Sequence, residues 1–232
     1  MGDSLASGEF EAVGPNGETT YHDMFDYSWG QFLARMAGCT ALNFSRGGMT
    51  AREYWESFAA ENGFWDGDKA CQAYIVALGV NDLLNEHIAP GDADNDVDPN
   101  DEARNAKTFA GYYGAILTRL QRISPGARFF LMTMPRNDRE TEEGLRMKEI
   151  HTALLHRFAQ RFPRTYVLDF FRYCPIYDDA FFNAFYMGGH LNPCGYLLTA
   201  KMIASYIDYL IRQDPASFRD VGFIGTGLHA AP

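Results

Sequence analysis

The sequence predicts an α/β domain built on a doubly wound parallel sheet. Three observations predict it. From residue 39 onward, short apolar strand segments alternate with helical segments, the pattern of βαβ units. Two of the strand segments, "CQAYIVALG" and "ARFFLMTMP", are near-continuous apolar runs, as a strand covered on both faces requires. The chain has 232 residues, 47% of them hydrophobic. That length suits one α/β domain, and that content fills a core.

The elements follow in order. Residues 11–28 read as a polar, aromatic-rich loop with a turn at Pro15-Asn16-Gly17. "SWGQFLARMAG" reads as a helix, with Ser28 as N-cap and Gly38 as its stop. "CTALNFS" reads as a short strand ending at the glycine pair 47–48. "TAREYWESFAAENG" is a helix capped by Thr50, with Glu53 three residues on. The apolar strand at 71–79 follows, then a long acidic loop. "NAKTFAGYYGAILTRLQRIS" is a helix closed by Pro125-Gly126, and "ARFFLMTMP" the next strand. "TEEGLRMKEIHTALLHRFAQRF" is an amphipathic helix and "TYVLDF" a further strand. "NPCGYLLTAKMIASYIDYLIRQ" is the last helix, with Pro193 in its first turn. The domain is expected over residues 1–213, with 214–232 an irregular tail packed on it.

Composition bounds the function. A net charge of −10 disfavours nucleic acid and anionic membranes as partners. No apolar run is long enough to span a bilayer. Cys39, Cys71, Cys174 and Cys194 are scattered, without CxxC or Cys/His spacing for zinc. They read as reduced thiols, which points to a cytoplasmic protein. His22, His87, His151, His156 and His229 match no metal spacing either. In "GDADNDVDPNDE" the aspartates 92, 94, 96 and 98 alternate as EF-hand ligands do. Position six of such a loop is Val97 and position twelve Ala103, so the segment reads as a solvated acidic loop.

Ligands of doubly wound sheets bind beyond the carboxyl ends of the strands. "SRGGMT", "GVND" and the loop after "VLDF" fall there. "GDSL" opens the chain, "NFSRGGMT" follows the segment at 39–45, "LGVND" ends the strand at 71–79, and "GHLNPCGY" opens the last helix. Singly these are weak signals; their order is specific. In these four blocks the chain resembles the SGNH (GDSL-type) hydrolase superfamily from residue 2 to about residue 212. The resemblance implies a three-layer α/β/α fold with a flavodoxin-like sheet and a carboxylic ester hydrolase working through an acyl-enzyme. It makes Ser4 the nucleophile and His190 the base. It makes Ser4, Gly48 and Asn81 the donors of the oxyanion hole. No metal or organic cofactor is implied, and the expected substrate is a small-molecule or carbohydrate ester.

The chemistry needs these residue types. A serine hydroxyl is a weak nucleophile until an imidazole within hydrogen-bond reach takes its proton. The carbonyl oxygen then becomes an oxyanion. It is met by two backbone N–H groups and an amide, each such donor contributing roughly 2.7–4 kcal/mol.

The pattern breaks at two places. The superfamily's last block is Asp-x-x-His, and here Met187 stands three residues before His190. Either a backbone carbonyl holds the imidazole, giving a Ser4–His190 dyad, or a carboxylate from Asp169, Asp178 or Asp179 reaches in; the dyad is the favoured expectation. The alternative is a ligand- or sugar-binding protein that has lost its catalytic acid. The second break is at the start. A strand normally precedes Gly-Asp-Ser inside the sheet, and here only Met1 does. Orphaned buried backbone groups cost about 1–3 kcal/mol each, so the first strand is expected to be missing from the chain as written. Phe181, Phe182, Phe185 and Tyr186 are expected to pack a loop onto the core, with a substrate pocket as the other reading. Asp82 and Asp3 are expected to shape turns. Without a long apolar lid segment, short acyl groups such as acetyl on carbohydrate are the expected substrates.

Overall fold

A computed structural model describes residues 1–219. In chain order its elements are α1 (Ser4–Ser7), β1 (Glu9–Val13), β2 (Thr19–Asp23), α2 (Trp29–Ala37), α3 (Ala51–Glu53), α4 (Ala59–Glu61), β3 (Ala73–Val76), α5 (Phe109–Ile123), β4 (Arg128–Met132), α6 (Glu142–Arg161), β5 (Thr165–Leu168), α7 (Phe170–Tyr173), α8 (Asp179–Phe185), β6 (Tyr186–Met187), β7 (His190–Leu191) and α9 (Pro193–Gln213). They gather into two compact units. One holds residues 1–3 and 48–176, the other residues 4–47 and those from 177 onward.

The first unit is a parallel sheet flanked by helices, as the alternation predicts. Its strands run in the order β3-β4-β5. Tyr74 lies opposite Phe129, and Phe130 opposite Tyr166. Both pairs stack, at 5.2 and 5.8 Å between ring centroids, so aromatic cross-strand pairs help set the register. Val76, Leu131 and Leu168 are fully buried, which explains the unbroken apolar runs. The chain start also lies along β3. Gly2 forms a parallel bridge to Ala77, and the Met1 nitrogen donates to the Ile75 carbonyl at 2.7 Å.

The sequential strand order sends both crossovers to one face of the sheet. There α5 and α6 meet, with Tyr113 stacked on Phe158 at 5.4 Å. Thr108 and Thr141 cap these helices through their hydroxyls. In α6 the buried residues His151, Leu154, Leu155 and Phe158 recur at helical spacing. Thr50 caps α3 as predicted, but a π-turn over Tyr54–Phe58 separates α3 from α4.

The second unit packs α2 against α9, with α8 beside α9. Ser28 caps α2 and Gly38 ends it in the left-handed conformation. Asn192 caps α9 ahead of Pro193. Tyr177, Phe181, Phe182, Phe185 and Tyr186 pack on one another, Tyr177 stacking on Phe181 at 3.7 Å.

Two sequence expectations fail. Residues 9–23, largely read as loop, form an antiparallel hairpin pairing Glu9 with Asp23, Glu11 with Tyr21 and Val13 with Thr19. The segment at 39–45 forms no strand, only a single bridge position at Ser45. Leu42 is exposed there and only Phe44 and Ser45 are buried, so the segment lacks the two-sided burial of an inner strand. Most of the tail expected at 214–232 lies outside the described residues. Among the described residues no helix is long and apolar enough to cross a membrane.

Candidate active site

Ser4 is the first residue of α1, directly after the three residues that join the sheet. The Ser7 hydroxyl donates to the Ser4 carbonyl at 3.1 Å and also to Asp23, which ties α1 to β2. Within the same unit α1 packs against β1 and against β7, whose first residue is His190.

The imidazole of His190 is held between two carboxylates of one strand. Its Nδ1 lies 2.6 Å from Glu11 Oε1, and its Nε2 lies 3.1 Å from Glu9 Oε1. Strand geometry explains the pairing. Alternate residues of a strand face the same side, so Glu9 and Glu11 project together. Phe10 projects the other way and is buried against Tyr196 at 5.3 Å. Tyr21, the cross-strand partner of Glu11, sets its ring edge-on to His190 at 5.8 Å. The three side chains are only about 15% exposed at the histidine and the two glutamates. Burial raises the Glu9 carboxyl above its usual range, and the nearby His190 partly offsets this.

The sequence "MGGH" fits this arrangement. Glu11 accepts the Gly189 N–H at 2.7 Å. A Cβ at Gly188 would lie 1.9 Å from Glu11 Oε2, and one at Gly189 would lie 2.8 Å from Oε1. Side chains at 188 and 189 would therefore evict the carboxylate.

The partner of Nδ1 is thus neither the backbone carbonyl of the expected dyad nor any of the three aspartates considered. Asp169 accepts from His156 at 2.8 Å and caps α7. Asp178 caps α8, and Asp179 sits in the first turn of that helix. Met187 pairs with His190 in the β6–β7 register. The available signal was "EFEAV", two carboxylates at strand spacing five and seven residues after the serine. Among the described residues, Ser4 and His190 share no hydrogen bond, and Nε2 lies 3.1 Å from Glu9 Oε1.

Gly48 and Asn81 belong to the other unit. Asn81 opens a π-turn that follows β3 closely. Its Nδ2 donates to the Met49 carbonyl at 3.1 Å, and its Oδ1 accepts from Asn85 at 2.7 Å. Asp82, fully buried, accepts the Ala51 N–H with both oxygens at 3.0 Å. These bonds bolt the "GVND" block to the "GGMT" block. Burial pushes the Asp82 carboxyl up to about 6, despite the N–H groups that oppose the shift. Behind the block, buried His151 places Nε2 3.0 Å from the Leu78 carbonyl. Burial lowers its imidazole to about 4.

Comparison with known proteins agrees with the blocks. The model of the GDSL-like Lipase/Acylhydrolase family matches residues 1–198. No curated protein matches the chain. A family 2 carbohydrate esterase from Clostridium thermocellum, solved with cellohexaose, is 14% identical with a TM-score of 0.61, covering 91% of this chain and 63% of its own. A family 2 enzyme with a carbohydrate-binding domain from Corynascus thermopiles is 17% identical with a TM-score of 0.58, covering 90% and 64%. The chain thus spans just under two thirds of those two proteins. A family 3 carbohydrate esterase from Clostridium thermocellum is 14% identical with a TM-score of 0.56, covering 91% and 94%. At such identities the likeness speaks to the fold. With four ordered sequence blocks and a family match from residue 1 to residue 198, the chain belongs to the GDSL-like lipase/acylhydrolase family of carboxylic ester hydrolases.

Proposed function

We propose that this chain cleaves short acyl esters, acetylated carbohydrate foremost, by an acyl-enzyme route with Ser4 as nucleophile and His190 as base and acid. The observation that carries this reading is the placement of His190. Its ring is largely buried beside the helix that Ser4 opens, with Nδ1 hydrogen-bonded to a carboxylate. A carboxylate only accepts, so Nδ1 carries the proton, and Nε2 serves as the base once it is released from Glu9.

In the reaction, His190 Nε2 takes the Ser4 proton as the hydroxyl attacks the ester carbonyl. The alcohol leaves with that proton, and water activated by the same nitrogen releases the acid. The family pattern assigns the developing oxyanion to the N–H of Ser4, the N–H of Gly48 and the Asn81 amide. Attack requires Glu9 to release Nε2 while Nδ1 stays on Glu11. Carbohydrate is favoured because structural neighbours are carbohydrate esterases, one of them solved with cellohexaose.

A second reading, a binding protein without turnover, is favoured by one observation: Nε2 sits 3.1 Å from a Glu9 oxygen and shares no hydrogen bond with Ser4. Hydrolysis of p-nitrophenyl acetate, with Ser4→Ala beside the wild type, separates the two. Turnover lost in the variant, together with fluorophosphonate labelling mapped to Ser4, supports the esterase. Equal background rates in both proteins, with no labelling, would leave the binding reading.

A further inference from the structure

We infer that Glu11 is the positioning carboxylate of this enzyme, taking from the hairpin strand β1 the role left vacant by Met187. The inference rests on the esterase reading above and assigns a role to the carboxylate that holds its base. Four observations converge. Glu11 Oε1 is 2.6 Å from His190 Nδ1, the nitrogen that must hold a proton if Nε2 is to act as base. The same oxygen accepts the Gly189 N–H at 2.7 Å, so the carboxylate is fixed to the histidine's own turn. Glycines stand at 188 and 189, where a Cβ would collide with that carboxylate. Met187 occupies the position of the missing aspartate, and its 43% exposure leaves the ring to Glu11.

Glu9 cannot take this role. It meets Nε2, the nitrogen that must be released to receive the serine proton. A carboxylate there fixes the unproductive tautomer, whereas one at Nδ1 fixes the productive one.

Position 187 supplies the decisive test. Met187 and His190 are directly paired across β6 and β7, and side chains so paired share a face with Cβ atoms about 4.5–5.5 Å apart. An aspartate at 187 therefore stands within reach of the ring. The experiment compares the wild type, Glu11→Gln, and Glu11→Gln combined with Met187→Asp, using p-nitrophenyl acetate. Circular dichroism checks folding, and proton NMR reads the far-downfield imidazole N–H. Glu11→Gln should lower kcat by at least about 10²-fold, toward the roughly 10⁴-fold loss known for Asp→Asn in the serine-protease triad. KM should stay within about threefold, since Glu11 touches no substrate. The downfield resonance should vanish, and Met187→Asp should restore at least a tenth of the lost kcat.

Retention of kcat within threefold in a folded Glu11→Gln protein would overturn the inference. So would loss of activity that Met187→Asp leaves untouched while the resonance persists. If Glu11→Gln does not fold, Glu11→Asp replaces it, with the same readouts and a smaller expected loss. If the wild type shows no Ser4-dependent turnover, the esterase reading fails separately. The NMR signal then decides whether Glu11 holds His190.

Discussion

Acidification should destabilise this protein through His151, and the size follows from its surroundings. The ring is fully buried, with Nε2 on the Leu78 carbonyl and Nδ1 without a hydrogen-bond partner. A second proton would have to sit on that unpartnered nitrogen. Burial accordingly lowers the group from 6.5 to about 4, and Lys148 adds to the effect. The unfolded chain therefore binds the proton first as pH falls. Stability is lost between about pH 6.5 and pH 4, and the shift of roughly 2.5 units corresponds to about 3 kcal/mol. Asp82 acts in the opposite sense. Its carboxyl is raised from 3.8 to about 6, so folding gains stability as pH falls through that window, by about 3 kcal/mol. The two contributions offset one another over this window, so the informative quantity is a difference between proteins. His151→Gln stays neutral at every pH and keeps a donor for Leu78. Urea unfolding at about pH 7 and about pH 4.5 should show the variant gaining about 2–3 kcal/mol relative to wild type on acidification. An unchanged difference between the two proteins at both pH values would refute the reasoning.

Other outcomes follow from particular contacts. Gly79 has φ of 130°, and a Cβ there would lie 2.6 Å from His151 Nε2. Gly79→Ala should cost on the order of 3 kcal/mol from backbone strain plus overpacking, read as a fall in urea midpoint. On the proposed mechanism, Asn81→Ala should lower kcat on p-nitrophenyl acetate by about 10²–10³-fold with little change in KM, as loss of one oxyanion donor would. Lys148 and Glu140 form a buried ion pair, side chains 8% and 9% exposed. Lys148→Met should cost about 3–5 kcal/mol by leaving Glu140 unpaired, and adding Glu140→Leu should recover part of it, measured by thermal unfolding.

Much of the fold was legible because burial and capping write themselves into local sequence. The strands β3 and β4 announced themselves as apolar runs, and β5 by its place in the alternation. Ser28 and Thr50 marked helix starts with side chains that do cap them. His190 was legible from its block. The hairpin was not, because every residue of β2 is exposed and leaves no alternation of burial to read. The π-turns at Tyr54–Phe58 and Asn81–Asn85 carry no compositional mark. Glu11 was illegible for a different reason. Its meaning lies in a pairing with His190, 179 positions away, which no window along the chain contains. Even the glycines at 188 and 189 acquire their reason only when the distant carboxylate is seen beside them.

The β1–β2 ribbon also makes the chemistry sensitive to counting. Successive strand residues face opposite ways, so deleting one residue between Ser4 and Glu9 would rotate the whole strand by half a turn. Both acids would then swing to the side where Phe10 now meets Tyr196, and a phenyl ring would confront the imidazole. This chain should therefore tolerate no change of length in the short spacer between Ser4 and Glu9, whatever residues fill it.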